Sequence, residues 1–166
     1  MTQASSAQAE PGIVPGMKRG ALDGHVGPRV RLVRNQLAAR VLATFAPFGL
    51  PSGAFSMLAL IGANPGCSQA DLAREAGLDK SLIVALLDDL EARGVIGRTR
   101  CEQDRRRNVL ILTPAGTAML REMSAVSASI EQPIEEALSK DEIEQLCALL
   151  NRAYQALAEA GKEKTL

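Results

Sequence analysis

The sequence predicts a mainly α-helical fold with a small β-hairpin wing, a winged helix-turn-helix flanked by long N- and C-terminal helices. Three observations carry this. Two short helical patterns joined by a glycine turn occupy residues 68–93. Two strand-like runs enclosing a basic loop occupy residues 95–113. Two long amphipathic patterns then fill residues 114–160.

Residues 1–26 are rich in Ala, Ser, Gln, Gly and Pro and read as a flexible arm, on which Lys18, Arg19 and the single His25 are solvated groups. Pro28 suits a helix start. Val30, Val33, Leu37, Val41, Leu42 and Phe45 then follow helical spacing over about residues 28–46, and Phe48-Gly49-Leu50 breaks the pattern. Pro51, with Ser52 near its cap, starts a second helix whose apolar set is Ala54, Phe55, Leu58, Ala59 and Ile61. That helix has no charge, which predicts burial on most sides. Asn64-Pro65-Gly66 marks a turn.

Ser68 can cap the next helix, with Asp71 in capping-box spacing. The small apolar face of that helix allows close packing, and Gly77 can take the left-handed conformation that ends it. Asp79 caps a further helix over Lys80 to Arg93, in which Ile83, Leu86, Leu87 and Leu90 keep the i, i+3, i+4, i+7 pattern before Gly94. Helix, glycine turn, helix is the pattern whose second helix can enter a DNA major groove. Val95 to Arg100 and Asn108 to Thr113 are the strands of the hairpin, and the tip between them holds Arg105, Arg106 and Arg107. A charge run is most often a solvated loop, but its place directly after a recognition-type helix makes it a wing. Arginines there suit the negative potential of a narrow minor groove.

Thr113-Pro114 supplies a hydroxyl cap and an N1 proline for a helix to about Leu138, with Ala118, Met119, Met123, Val126, Ile130 and Ile134 along it. Pro133 removes a backbone donor and is expected to bend or interrupt it. Ser139 and Glu142 form a second capping box for the last helix, whose apolar face includes Leu146, Leu149, Leu150, Tyr154 and Leu157. These late helices have no further domain to cover, so pairing with a second copy is the economical solution. The domain therefore spans residues 27–160. Its DNA-binding part covers about 51–113, the dimerisation helices about 28–46 and 114–160, and residues 161–166 form a polar tail that frays.

Hydrophobic residues make up 46% of the 166, and aromatic residues only 2%, so the core must be aliphatic. No apolar run approaches a membrane span, and no leader-type segment is visible. With three scattered cysteines, a cytoplasmic location is expected. Net charge is zero, yet it is unevenly placed. Residues 93–107 hold six arginines against two acids, whereas residues 114–166 hold five basic and nine acidic groups. Such polarity orients a protein on DNA. One histidine, no phosphate-cradling loop and no metal-ligand spacing argue against an enzyme, and no cofactor or metal is expected.

The segments NPGCSQADLAREAGLDKS, LLDDLEARGVI, DRRRNVLILTPAG and LSKDEIEQL resemble the MarR family of bacterial transcriptional regulators, over about Arg29 to Ala160. The resemblance implies an obligate homodimer on a near-palindromic double-stranded operator, with repression usually relieved by a ligand or oxidant. The DNA-facing set is Ser68, Lys80, Ser81, Leu82, Val84, Ala85, Asp104, Arg105, Arg106 and Arg107. Lys80 and Ser81 would meet phosphates or base edges. Arg106 would enter the minor groove, Asp104 would position the wing arginines, and Arg105 and Arg107 would add backbone contacts. Family members often carry polar residues where this chain has Leu82, Val84 and Ala85, so shape and backbone contacts should carry more of the recognition.

The resemblance also implies a small-molecule effector, an aromatic acid or related metabolite, in a cleft near Arg34, Phe45, Phe48 and Phe55. Two alternatives stay open. One is a redox-sensing repressor using Cys67, Cys101 or Cys147, with Cys101 the most activated and Cys147 a small core residue. The other is a winged-helix dimer that binds protein instead of DNA.

Overall fold

The computed structural model describes residues 16–100 and 108–163. A short 3-10 turn, Gly20–Leu22, precedes α1 (Val26–Phe45). Then come α2 (Ala54–Ala63), α3 (Gln69–Ala76), α4 (Lys80–Ala92), β1 (Ile96–Arg100), β2 (Asn108–Leu112), α5 (Pro114–Ala137) and α6 (Lys140–Glu163). The strands pair antiparallel, with Ile96 opposite Leu112 and Arg98 opposite Leu110. The hairpin is tied to the chain entering α3, because Gly66 N donates to Leu110 O and Leu110 N donates to Cys67 O, both at 3.0 Å.

The sequence signals place most boundaries within a few residues. Ser68 accepts from Asp71 N while Asp71 returns a bond to Ser68 N, so the first capping box is closed. The box at Ser139 and Glu142 is closed in the same way. Three expectations change. The second helix starts at Ala54, because Gly53 sits at φ 88° as its N-cap and leaves Pro51 and Ser52 in the preceding turn. Pro133 does not interrupt α5, which is one continuous helix through Ala137. The last helix continues through Gly161 to Glu163.

The core is aliphatic. Met57, Leu58 and Ile61 of α2 and Ile83, Leu87 and Leu90 of α4 are almost fully excluded from solvent, with Leu72, Ile96, Leu110 and Met123 around them. Leu58, Ile61 and the α4 row lie on the faces expected from the sequence, Met57 was not among the expected residues, and together they form one core. Trimming any of the fully buried leucines to alanine should cost about 2–5 kcal/mol. At the N-terminus of α5 the helix backbone meets the chain leaving α4. A Cβ on Gly116 would lie 1.8 Å from Val95 O, so only glycine fits. Thr113 seals the joint. Its hydroxyl donates to Gly94 O at 2.7 Å and accepts from Gly116 N at 3.0 Å.

α6 stands apart. Of its apolar residues only Ile143 is half-buried, and Leu149, Tyr154 and Leu157 are 49%, 63% and 76% exposed. Cys147, expected in the core, is exposed because α6 packs sparsely on its own subunit.

Gly116→Ala should destabilise the chain by about 3 kcal/mol or more, since the clash is with backbone that cannot rotate away. Gly27→Ala, where no atom lies within 4 Å of an added Cβ, should change stability by no more than about 0.5 kcal/mol. Urea unfolding of the two variants checks the contrast, and equal midpoints would refute the joint.

Candidate nucleic-acid interface and effector cavity

α4 shows two faces. Ile83, Leu87 and Leu90 are buried, whereas Ser81, Leu82 and Ala85 are exposed and Val84 is half-buried. Leu82 is 57% exposed, a large apolar side chain directed outward where a recognition helix meets base edges. The helix start is organised by Asp79, whose Oδ1 accepts from Ser81 N and Leu82 N, both at 3.0 Å. The Ser81 hydroxyl donates to the same oxygen at 2.6 Å, so it is turned back onto the cap. Ser68 likewise spends its hydroxyl on Asp71, at 2.6 Å, and is half-buried. Both hydroxyls are thus already engaged, Ser68 as the N-cap of α3 and Ser81 within the Asp79 cap of α4. The backbone of Lys80 opens α4. Asp104, Arg105, Arg106, Arg107 and Cys101 lie outside the described residues.

The arginines of this region divide. Arg93 donates to Asp89 at 2.7 Å and to Gly49 O at 2.9 Å. Arg98 is held by Asp88, at 2.5 Å, and by Glu91, both on α4. Two of the six arginines counted as cationic character are therefore neutralised inside the subunit. The role of Arg98 was visible in the strand period: it shares a face with Ile96, and that face is buried. Arg98 ties the base of the hairpin to α4. These ion pairs are partly exposed and contribute more to geometry than to stability.

A cleft of about 410 Å³ lies between α1, the turn 46–53, the start of α2 and the second half of α5. Phe45 and Phe55 line it, with ring centroids 4.9 Å apart. Phe48 stands behind them, edge-on to Phe45 at 6.1 Å. Arg34 is outside the lining; it is exposed, and its guanidinium donates to Asn35. Met123 and Ile130 complete the apolar wall, and Glu131 and Glu135, one turn apart on α5, are the charged residues among the described lining. No group of three or more His, Cys, Asp or Glu among the described residues is placed to hold a metal ion, and no described helix is long and apolar enough to cross a membrane.

Arg40 was not singled out from the sequence. Its Nε donates to Ile130 O at 2.7 Å and its Nη2 to Ser129 O at 2.6 Å, joining α1 to α5 beside the cleft. The signal was present in Pro133, four residues after Ser129, which leaves that carbonyl without its helical donor.

A two-stranded wing behind an exposed second motif helix defines a winged helix-turn-helix, DNA-binding regulator. A family model described as the MarR family matches residues 48–107. A Thauera aromatica protein assigned to transcriptional regulation of the hcr operon is 35% identical over 140 residues, covering 81% of this chain and 82% of that protein. The repressor CouR bound to a 23-mer DNA duplex superposes with a TM-score of 0.74 at 33% identity, covering 83% of this chain and 98% of that one. CouR bound to p-coumaroyl-CoA gives 0.71 at 31% identity, covering 83% and 97%. The chain belongs to the MarR family of transcriptional regulators.

The Asp79 carboxyl is held below the usual carboxylate range, chiefly by the Ser81 hydroxyl and also by the Leu82 amide. Asp71 and Glu142 are lowered by their capping serines. A folded-state value below the unfolded one stabilises the fold at pH above the unfolded pKa of about 3.9–4.3, and the gain is lost as pH falls through the lower folded value. The urea midpoint of wild type should therefore drop as pH falls from about 4.5 to about 2, and Asp79→Asn, which keeps a cap but cannot titrate, should flatten the drop. Parallel curves for the two proteins would remove Asp79 from the account.

Proposed function

We propose that this chain is a cytoplasmic, ligand-responsive repressor that binds a near-palindromic operator as a homodimer and is released by an aromatic metabolite. The observation that carries the reading is the position of the cleft. One wall is α1 and α5, and the other is the start of α2, which leads into the helix-turn-helix. A ligand seated there touches both the scaffold and the DNA-binding part.

Homodimer formation is supported by α6 and by the N-terminal half of α1, where Val26, Val30 and Val33 are exposed along with the α6 leucines. Exposed apolar side chains gathered on two helices in this way favour an interface. In the dimer, two copies of α4 would face successive major grooves about one turn apart. Lys80 would contact phosphate and Leu82, Val84 and Ala85 would make apolar contact with bases, close to the cap positions of Ser68 and Ser81. Arg106 would enter the minor groove, with Asp104 orienting the tip and Arg105 and Arg107 on the backbone.

The cleft favours a ligand whose buried end is neutral. A carboxylate pushed in would lose hydration and meet Glu131 and Glu135, whereas an aromatic acyl thioester would place an uncharged ring against Phe45 and Phe55 with its anionic part outside. CouR bound to p-coumaroyl-CoA is a neighbour of that chemistry. The redox alternative loses support at Cys67, whose thiol is pushed up by burial, so the reactive thiolate is disfavoured.

An operator selected from a random duplex pool tests DNA binding. Affinity should fall steeply with salt, and Arg106→Ala should weaken it by about tenfold or more while the protein remains a dimer by light scattering. A flat salt slope would favour the protein-binding alternative. In a thermal-shift panel, aromatic acyl-CoA thioesters should raise the melting temperature more than their free acids. A panel in which only the acids bind would overturn the neutral-end reading.

A further inference from the structure

We propose that Arg40 is a positioning residue for the effector cleft: it supplies the hydrogen bond to Ser129 O that Pro133 withholds, adds a second to Ile130 O, and so fixes the spacing of two cleft walls. The inference rests on the reading of the cleft as the effector site.

In an α-helix the carbonyl of Ser129 accepts from the N–H of residue 133. Proline has no N–H, and its ring crowds the carbonyl four residues earlier, which normally costs about 3 kcal/mol and breaks or kinks the helix. Here α5 continues unbroken through Ala137. The Arg40 guanidinium, arriving from α1, donates Nη2 to Ser129 O at 2.6 Å and Nε to Ile130 O at 2.7 Å. The planar fork meets two successive carbonyls at once, a geometry that the single ammonium of lysine does not reproduce.

The staple has a place as well as a chemistry. Val41 and Phe45, just past Arg40 on α1, line the cleft. So do Ile130 and Glu131, at the stapled carbonyls on α5. α1 packs on α5 through buried Phe45, Met123 and Ile130, while Leu37 and Val41 are half-buried and Leu42 is exposed. The two hydrogen bonds add to that packing a directional constraint on the distance between the helices. Ligand entering between Phe45 and Ile130 meets walls whose separation Arg40 has defined.

A double-mutant cycle separates this role from a general structural one. The set is wild type, Arg40→Ala, Pro133→Ala and the double variant, each as the full-length chain. Pro133→Ala restores the missing N–H, so Ser129 O regains a partner in its own helix. Arg40→Ala alone should lower the melting temperature by roughly 3 °C. It should also speed amide exchange in residues 126–137 and weaken binding of p-coumaroyl-CoA, the cleft probe, by roughly fivefold. In the Pro133→Ala background the same change should have less than about half of each effect, because the two sites are coupled. Arg40→Lys should rescue little. Equal losses with and without the proline, in melting and in exchange, would overturn the staple. If exchange and melting show the coupling but the probe binds wild type and Arg40→Ala equally, the staple stands and its role in the cleft fails. If wild type takes up neither the probe nor any panel compound, the effector reading fails, and with it the positioning role, while the exchange cycle still decides the staple.

Discussion

The contact on which the architecture depends is backbone against backbone: the carbonyl of Val95 at the α-carbon of Gly116. Four segments converge there. α4 has ended at Ala92 and the chain turns at Gly94 with φ 71°, β1 is about to begin, β2 returns to Thr113, and α5 starts at Pro114. Val95 O accepts from Thr113 N at 3.2 Å, and the Thr113 hydroxyl bridges Gly94 O and Gly116 N. With no side chain between them, the recognition-type helix, the hairpin base and the long scaffold helix are referenced to one peptide group. The relative placement of α5 and α4 is therefore set by backbone contact, with no flexible side chain between them to take up a shift.

Electrostatics then refine what sterics have set. The arginines between α4 and the second strand look alike in a count and differ in use. Arg93 and Arg98 hold the turn and the hairpin base to α4 through Asp89, Asp88 and Glu91. The acids of α4 therefore hold the base of the hairpin in place. In the same way the Ser68 hydroxyl is spent on its capping box and the Ser81 hydroxyl on the Asp79 cap, which leaves Leu82 as the large exposed apolar side chain among the described residues at the start of α4.

Much of this was legible in the residues because the governing physics is local. Capping boxes at Ser68 and Ser139 need only four consecutive positions, and both are closed as the spacing implies. The buried row Ile83, Leu87 and Leu90 follows from helical period alone. What was missed involves partners far apart in the chain. Arg40 and Ile130 are 90 positions apart; Pro133 shows that a carbonyl of α5 lacks its helical donor, but nothing local says that Arg40 supplies one. Gly116 gives no local signal, since its φ lies outside the left-handed region; only the approach of Val95 makes it obligatory. Pro51 was read as the start of the second helix with Ser52 near its cap, but Gly53 in the left-handed region delays the helix to Ala54. Arg34 was placed near the cleft, but it lies outside the lining, whereas Arg40, six residues on, reaches α5 beside it.

The exposed leucines of α6 bear on the same problem from the other side. A helix with Leu146, Leu149, Leu150, Tyr154 and Leu157 facing water gains little from its own subunit. Covering such part-exposed side chains contributes less than the ~1.5–3 kcal/mol of a full burial each, but several together weigh against the marginal stability of a domain. The chain thus leaves a row of apolar side chains exposed on the last helix and its cleft between the first, second and fifth. A second copy covering α6 and the exposed part of α1 would bear on the same α1 that Arg40 holds to α5. Association and ligand occupancy would then act on one helix pair, and their free energies would be linked through it by reciprocity.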